Sequence, residues 1–269
     1  MHEISCVQFL QSTLPQMRMR WPGFRRVRRH VCRRVTARIR ELDLGGLAAY
    51  REYLAGNAGE WEVFDRMCRI TISRFFRDRQ VFQPLAEQVL PALIRQAKER
   101  GEKTIRCWSA GCASGEEPYT LALIWKLLVP NAGRCALKIL ASDSDPAMLA
   151  RARTACYGRG SVKELPEPLL ARGFARKGKH YFLKPEFRDR VEFVCQDIRE
   201  GCPPGPFHLI LCRNLVFTYF SEELQGEMLA RLHSLLLPGG ALVIGIHESL
   251  PATGLFAPWP QGAKIFQKC

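Results

Sequence analysis

The chain has 269 residues, 47% of them hydrophobic, which is enough for a sizeable core and excludes wholesale disorder. Lys and Arg number 40 against 26 Asp and Glu, and the formal net charge of +14 favours a nucleic acid, an anionic membrane or an acidic protein as partner. No apolar run reaches the roughly 18 residues of a transmembrane helix. The N-terminus also lacks the pattern of a signal peptide.

The basic excess lies in one segment. Residues 17–40 contain ten arginines and no acid, so the other 245 residues carry 30 basic and 26 acidic side chains. Apolar residues spaced three or four apart predict a helix over 24–42, with arginines on its other faces. These positions are Phe24, Val27, Val31, Val35, Ile39 and Leu42. Shorter helices are predicted over 47–54 and 60–70, so residues 1–70 are expected to form a small, basic, helical domain.

Strands and helices alternate after this region. Apolar runs predict strands over 104–110, 136–143, 190–197, 207–214 and 240–247. Helices are predicted between most of them, notably over 116–128 and 222–236. This alternation predicts an α/β fold with a doubly wound, mostly parallel sheet in residues 71–269. A polar, basic and glycine-containing stretch at 157–188 interrupts the rhythm and is interpreted as an inserted flap or subdomain.

The chain has 11 cysteines and no CxxC pair. Several lie within apolar, strand-like runs. Buried free thiols in a reducing cytoplasm are the favoured interpretation, and a zinc site is the less favoured one. We therefore expect a cytoplasmic protein that binds no metal.

One loop has the composition of a ligand-binding turn. Residues 107–122 read CWSAGCASGEEPYTLA, in which a strand runs through small residues into a helix. The loop matches neither a Walker motif nor GxGxxG. Because the helix opens with Glu116 and Glu117, which repel phosphate, the ligand here is expected to be cationic or neutral. The alternative is a turn whose acids simply favour a helix N-terminus.

Polar residues also follow the other predicted strands. Asp143 ends the second strand, where an acid commonly accepts hydrogen bonds from a ribose diol. Asp145 is interpreted as a cap of the helix that begins at Pro146. Asp197 and Asn214 end the third and fourth strands. The carboxyl ends of parallel strands face one crevice, where open sheets bind ligands.

Four segments together resemble the CheR-type chemotaxis receptor methyltransferases. They are WSAGCASGEEPYTLA at 108–122, ISRFFRD at 72–78, LASDSDPAML at 140–149 and ILCRNLVFTYF at 210–220. The resemblance runs from about residue 24 to residue 269. It implies a helical N-terminal domain and a class I methyltransferase domain with a small inserted β-subdomain. It also implies methyl transfer from S-adenosylmethionine to receptor glutamates, leaving S-adenosylhomocysteine.

The resemblance assigns roles to the matching residues. Arg77 and Tyr219 are the implied catalytic residues, and Arg77 is expected to orient the incoming carboxylate. The implied cofactor-binding residues are Thr71, Ser73, Arg77, Ala110, Gly111, Glu116, Glu117, Asp143, Asp197, Ile198, Asn214 and Leu215. Between the two glutamates, Glu117 is favoured as the acid near the methionine moiety. The alternative for Arg77 is a purely structural role as an ion-pair partner of Asp78 or of the glutamates.

The chain departs from the family pattern in several places. CRNLVFTYF carries one residue more than the family's CRNxxIYF, and GIHES stands where GHSE is common. Thr71 stands where an asparagine is common. The family's leading helix is missing, so the N-terminal domain is expected to be shortened.

The basic helix has three interpretations. The resemblance favours a docking surface for the acidic helical region of a chemoreceptor. A nucleic-acid or lipid contact is less favoured because aromatic residues for base stacking are sparse, and a solvated surface is the third. For the whole chain, which we expect to be a monomer, the alternatives are a methyltransferase for another substrate and a non-catalytic cofactor-binding module.

Overall fold

Residues 4–130, 132, 135–260 and 262–269 are described by the structure, a computed structural model. The chain separates into two units. One comprises Met1–Ile70 with Thr218–Gly226, and the other comprises Thr71–Phe217 with Glu227–Cys269. We call them the helical unit and the α/β unit.

The helical unit packs short helices around an apolar core. In chain order its helices are α1 (Cys6–Thr13), the 3₁₀ turn Leu14–Met17, α2 (Trp21–Phe24), α3 (Arg28–Glu41), α4 (Leu47–Gly56) and α5 (Ala58–Cys68). The predicted apolar stripe of α3 is buried at Val31, Val35 and Ile39. Phe9 of α1 packs on Phe64 of α5 with ring centroids 5.5 Å apart. The expected helical character of this region is therefore confirmed.

Helix α1 was not predicted from the sequence. Ser5 caps it: the Gln8 N–H donates to Ser5 Oγ at 3.3 Å, and the Ser5 N–H donates to Gln8 Oε1 at 3.0 Å. This reciprocal pair is a capping box, which stabilises a helix N-terminus. With only two turns buried through Phe9 and Leu10, the periodic signal is too short to stand out in the sequence.

The prediction of a single helix over 24–42 is wrong, because the structure has two helices there. Helix α2 ends at Phe24 and α3 begins at Arg28. Arg28 Nη1 instead donates to the carbonyl oxygen of Arg25 at 2.6 Å. In one continuous helix, Arg25 would stand three and four residues from Arg28 and Arg29, and like charges at these spacings destabilise a helix.

A disulfide joins Cys6 of α1 to Cys32 of α3, whose Cα atoms are 6.1 Å apart. The expectation that all cysteines are free is therefore wrong. The pair was not predictable from spacing, because 26 residues separate the two positions and only the packing of α1 on α3 brings them together. Of the free cysteines, Cys68, Cys107, Cys112 and Cys212 are buried as expected, whereas Cys195 and Cys269 are exposed.

A buried carboxylate ties three helices of this unit together. Glu60 of α5 is 5% exposed. It accepts hydrogen bonds from Arg38 Nε at 3.0 Å, from Arg38 Nη2 at 2.8 Å and from the Tyr50 hydroxyl at 2.8 Å. The Arg38 guanidinium holds the pKa of Glu60 below its ordinary value, even though burial opposes this.

The α/β unit alternates helices with strands. Its helices are α6 (Arg79–Pro84), the π turn Leu85–Val89, α7 (Leu90–Glu99), α8 (Glu116–Leu127), α9 (Pro146–Thr154), α10 (Arg159–Val162), α11 (Glu167–Gly173), α12 (Pro185–Arg188), α13 (Val216–Tyr219) and α14 (Glu222–Leu235). Its strands are β1 (Thr104–Ala110), β2 (Ala136–Asp143), β3 (Cys156–Gly158), β4 (Phe174–Lys177), β5 (His180–Leu183), β6 (Val191–Cys195), β7 (Phe207–Leu211), β8 (Leu236–Val243), β9 (Phe256–Pro258) and β10 (Ile265–Lys268). The end of α13 and the first turn of α14 are grouped with the helical unit.

Seven strands form the main sheet, in the order β6-β2-β1-β7-β8-β10-β9. Strand β1 pairs in parallel with β2 and with β7, whereas β10 is antiparallel to both its neighbours. The chain builds outward from β1 through β2 to β6, then returns to the other side of β1 as β7. This reversal creates a crevice at the carboxyl ends of β1 and β7. The predicted doubly wound, mostly parallel sheet is confirmed.

Strands β6, β7 and β8 end earlier than predicted. Each predicted strand extends past the last residue paired in the sheet. Asn214 follows β7 with a left-handed φ of 56°, and the Gly245 N–H beyond β8 donates to the Glu248 carboxylate. Asp197 and Asn214 therefore lie two and three residues beyond their strands, in the loops at the crevice.

The predicted insertion is a second, antiparallel sheet in the order β3-β5-β4, flanked by α10, α11 and α12. It carries its own basic excess: residues 151–190 hold 11 Lys and Arg against four Asp and Glu. The charge of the residues outside 17–40 is therefore nearly balanced in total but unevenly distributed along the chain. No helix in the described part of the chain is both long and apolar enough to cross a membrane.

The Glu60 network generates a stability prediction. We expect Glu60→Gln to lower the free energy of unfolding by about 1.5–3 kcal/mol at pH 7, because it weakens buried hydrogen bonds to a charged partner. Since the pKa of Glu60 is lowered in the folded state, its contribution is present above the ordinary carboxyl pKa of about 4.3 and is lost as the pH falls below it. Urea unfolding followed by circular dichroism measures the difference at each pH.

The matched control is Glu62→Gln on the same helix, where the side chain is exposed. Equal urea midpoints for the two variants at pH 7 would contradict the structural role of Glu60.

Candidate active site

The loop after β1 brings backbone and side chains together at the switch point of the sheet. Gly111 has φ of 74° and Gly115 has φ of 87°, values that L side chains rarely adopt. A Cβ added at Gly111 would lie 2.7 Å from Leu215 Cδ2. The predicted site residue Gly111, which follows Ala110 at the end of β1, therefore stands next to Leu215, after β7.

Glu116 and Glu117 open helix α8 but point to different partners. Glu116 is 1% exposed and accepts hydrogen bonds from the hydroxyls of Ser114 and Ser161. Glu117 accepts from Ser109 Oγ at 2.7 Å and from Arg213 Nη1 at 3.2 Å. Glu116 thus holds the loop to the inserted subdomain, and Glu117 faces the strand ends.

The pKa of Glu117 is raised above its ordinary value. Burial is the main cause, and the attraction of Arg213 and the hydrogen bond from Ser109 oppose it. A positive charge beside this carboxylate would be stabilised by the same low-dielectric surroundings. The position therefore suits an ammonium or sulfonium group and does not suit phosphate.

Asp143 lies at the end of β2. Its Oδ2 accepts the Ala113 N–H at 2.8 Å, and its Oδ1 accepts the Asp145 N–H at 2.9 Å. These two bonds fix the orientation of the Asp143 carboxylate at the strand end. Asp145 caps α9 as predicted, because its side chain accepts from Ala147 N and Met148 N.

The loop after β6 carries Asp197 and Ile198. Asp197 pairs with Arg199, whose Nη2 lies 2.6 Å from Asp197 Oδ2. Ile198 is 6% exposed. The Gln196 N–H donates to the carbonyl oxygen of Asp143 at 3.0 Å, which links this loop to the end of β2. The assignment of Asp197 and Ile198 as adenine neighbours stays a prediction.

Asn214 is held by a residue that the sequence analysis did not single out. Glu248 is 2% exposed, and its Oε2 accepts the Asn214 N–H at 2.9 Å and the Gly245 N–H at 2.5 Å. In GIHES the glutamate is the third residue after Gly245, the same spacing as in GHSE. The spacing of this acid was the signal in the sequence, whereas His247 is exposed.

Arg213 is the second residue that was missed, although CRN was quoted as a motif. Its side chain is 3% exposed. It donates to Asp78 Oδ2 at 2.7 Å and to the Arg77 carbonyl oxygen at 2.9 Å, in addition to Glu117. The guanidinium also lies over the Phe82 ring, 4.9 Å from its centroid. Arg213 thus connects the FFRD segment to the first turn of α8.

The segment 71–78 carries the remaining predicted residues of this unit. Thr71 and Ser73 are half-buried in an extended stretch. Arg77 Nη1 donates to the Ile72 carbonyl oxygen at 2.8 Å, and its Nε lies 4.0 Å from Asp78 Oδ2. The side chain of Arg77 is 35% exposed, so an incoming substrate is able to reach it.

Tyr219 is grouped with the helical unit, where its ring packs against Phe24 with centroids 4.9 Å apart. Its part in methyl transfer stays a prediction.

The residues at the crevice fit S-adenosylmethionine. Carboxylates at Glu117 and Asp143 suit the cationic and ribose parts of that molecule, and Gly111 leaves no space for a side chain between β1 and Leu215. Within the described ranges, no group of three or more His, Cys, Asp or Glu residues is placed to hold a metal ion.

Comparison with known proteins identifies the domain. Residues 71–264 match the family model of the CheR methyltransferase SAM-binding domain. Together with the strand order and the acid-lined crevice, this match shows a class I, S-adenosylmethionine-dependent methyltransferase. The chain belongs to the CheR methyltransferase family.

Individual relatives agree with this assignment. The chemotaxis protein methyltransferase of Escherichia coli is 34% identical over 228 residues, which are 81% of this chain and 76% of that protein. The chemotaxis protein methyltransferase of Listeria monocytogenes is 34% identical over 199 residues, 74% of this chain and 73% of that protein. An uncharacterized 104.1 kDa protein of Rhodobacter capsulatus is 34% identical over 221 residues, 82% of this chain but 23% of its own length.

The contacts of Glu248 generate a binding prediction. We expect Glu248→Gln to weaken S-adenosylhomocysteine binding about tenfold, because an amide oxygen is a poorer acceptor for two backbone N–H groups than a carboxylate. Isothermal titration calorimetry measures the dissociation constant. Glu192→Gln, an exposed position on β6, is the control and should bind as the unchanged protein does. Unaltered affinity in Glu248→Gln would show that the placement of Asn214 does not matter for the cofactor.

Proposed function

We propose that the protein transfers the methyl group of S-adenosylmethionine to glutamate side chains of a chemoreceptor-like protein, giving methyl esters. The observation that carries the proposal is the acid-lined crevice at the switch point, in a chain of the CheR family. Relatives named chemotaxis protein methyltransferases support the substrate class.

The reaction requires little proton transfer by side chains of the protein. A glutamate carboxylate is ionised near pH 7, so it attacks without a general base. S-adenosylmethionine supplies a methyl group on a sulfonium, which a carboxylate oxygen displaces in line. Catalysis is then mainly alignment and exclusion of water, and alignment is able to contribute roughly 7–11 kcal/mol.

Residues of the crevice have distinct parts in this proposal. Glu117 receives the positive end of the methionine moiety, Asp143 receives the ribose hydroxyls, and Asn214 with Leu215 flanks the sulfonium. Arg77 orients the substrate carboxylate through paired hydrogen bonds, which the partial exposure of its side chain supports.

Arginines with two different surroundings occur within residues 17–40. Arg34 and Arg38 have structural partners: Arg34 donates to the carbonyl oxygens of Met67 and Arg69, and Arg38 pairs with Glu60. By contrast, the side chains of Arg29, Arg33 and Arg40 are exposed. At 100° per residue these three lie within an arc of about 40° on α3, and we call them the basic stripe.

The basic stripe is the proposed docking surface for an acidic helical region of the receptor. Its charge and its regular helical spacing complement a row of carboxylates on another helix. The cytoplasmic location and the monomeric state remain predictions.

Methyl transfer is tested with a receptor signalling domain and tritium-labelled S-adenosylmethionine. The labelled product should release methanol in mild base, because a glutamyl methyl ester is base-labile. A matched receptor with glutamine at its methylation positions should take up no label. Label that enters RNA, or that is stable to base, would contradict the proposed substrate.

The docking proposal is tested by charge reversal. We expect the double variant Arg29→Glu/Arg33→Glu to raise KM for the receptor about tenfold or more at low salt, with kcat and S-adenosylhomocysteine affinity unchanged. The difference should shrink at high ionic strength, where exposed charges are screened. Steady-state kinetics with the receptor domain provide the measurement.

The control is Arg95→Glu/Lys98→Glu on α7, which makes the same change in charge at exposed positions. An equal rise of KM in both double variants would indicate a general charge effect and would exclude specific docking on α3.

A further inference from the structure

We propose that Arg213 is a positioning residue that couples the cofactor's methionine end to the turn carrying Arg77. The inference rests on the proposed roles of Glu117 and Arg77 and deepens them. Arg213 itself belongs to neither set of predicted contacts, and its place between them follows from the hydrogen bonds of the structure.

The turn that Arg213 holds is conformationally demanding. Phe76 and Asp78 are non-glycine residues with φ of 58° and 65°. Such left-handed conformations persist when the surrounding structure fixes them. Here the Phe76 N–H donates to Thr120 Oγ1 of α8 at 3.0 Å. Arg213 Nη2 binds both the Arg77 carbonyl oxygen and the Asp78 carboxylate.

The Nη1 atom of the same guanidinium contacts Glu117, the proposed partner of the cofactor's methionine end. Arg213 Nη1 lies 3.2 Å from Glu117 Oε2. Stacking over Phe82 keeps the guanidinium plane in place. One rigid, planar guanidinium binds both the turn that carries Arg77 and the first turn of α8. A shift of either segment therefore displaces the other.

Arg213 also bears on the charge of Glu117. Other titratable or charged groups face this carboxylate from the surrounding elements: Arg77 from the turn before α6, Cys112 from the loop after β1, and Cys212 from the loop after β7. Burial raises the pKa values of both thiols, so they are neutral near pH 7. Arg213 has the closest positive charge and favours the ionised form of Glu117, which a cationic ligand requires.

Two substitutions separate the geometric part from the charge part. Arg213→Lys keeps a positive charge but loses the fork, and Arg213→Met loses both. We expect Arg213→Lys to lower kcat about 10- to 100-fold through misalignment of Arg77, with S-adenosylhomocysteine affinity changed less than threefold.

In Arg213→Met, protonation of Glu117 should compete with the ligand. Its S-adenosylhomocysteine affinity should fall by up to about tenfold per unit of decreasing pH, with proton release on binding. Calorimetry between pH 5.5 and 8.5 in buffers of different ionisation enthalpy measures both quantities. Arg106→Lys is the control, because Arg106 lies over the Phe207 ring in a similar manner and its side chain contacts no proposed site residue.

The outcomes are distinguishable. Losses of affinity in Arg213→Met that are equal at every pH, with no proton release, would overturn the charge part, and unchanged kcat in Arg213→Lys would overturn the geometric part. The proposed role of Glu117 has its own test: if Glu117→Gln binds S-adenosylhomocysteine as tightly as the unchanged protein, that role fails irrespective of Arg213.

Discussion

A carboxylate buried at the switch point of a parallel sheet is the constraint on which the site depends. Glu117 lies in the first turn of α8, where the helix dipole favours negative charge, yet burial raises its pKa. Ser109 and Arg213 supply the hydrogen bonds that make its ionised form tolerable. A cation binding here gains from an acceptor that is already desolvated and oriented. In the proposed role, the carboxylate at the start of α8 therefore favours a cofactor with a positively charged group.

A buried carboxylate paired with an arginine also occurs in the helical unit, where it stabilises the packing of helices. Glu60 is buried against Arg38 and Tyr50, so an ion pair again joins separate elements. In the helical unit the result is a defined orientation of α3, with some arginines committed to structure and the basic stripe exposed. Net charge alone therefore says little about partners. The number of charges left at the surface, and their spacing on the helix, carry the information.

Local sequence signals predicted the fold well where burial is continuous. The bounds of β1 and β2 match the predicted runs 104–110 and 136–143, because these strands lie inside the sheet and their apolar runs end at the crevice. Helix α1 was missed because two turns give little periodicity. The disulfide between Cys6 and Cys32 was missed because tertiary packing alone pairs these positions.

The residues of the crevice likewise differ in how far local sequence signals predict them. The positions of Glu117 and Asp143 at the crevice were predictable, since each lies beside a turn that follows a predicted strand. Their contacts with the cofactor stay a prediction. The contacts of Arg213 join residues 135 positions apart in sequence, and Glu248 acts on Asn214 from 34 positions away. No periodicity or spacing within one element reports such contacts. The supporting residues of the site therefore emerged from the structure, whereas the residues proposed to contact the cofactor emerged from the sequence.

The proposed function of the crevice depends most on the binding of the cofactor's cationic amino-acid end by Glu117. The most direct test compares the binding of S-adenosylhomocysteine with that of 5′-methylthioadenosine, which lacks this end, in the unchanged protein and in Glu117→Gln. We expect the substitution to weaken S-adenosylhomocysteine binding at least tenfold, about 1.4 kcal/mol, and to leave 5′-methylthioadenosine binding unchanged. Equal weakening of both ligands would contradict this role of Glu117.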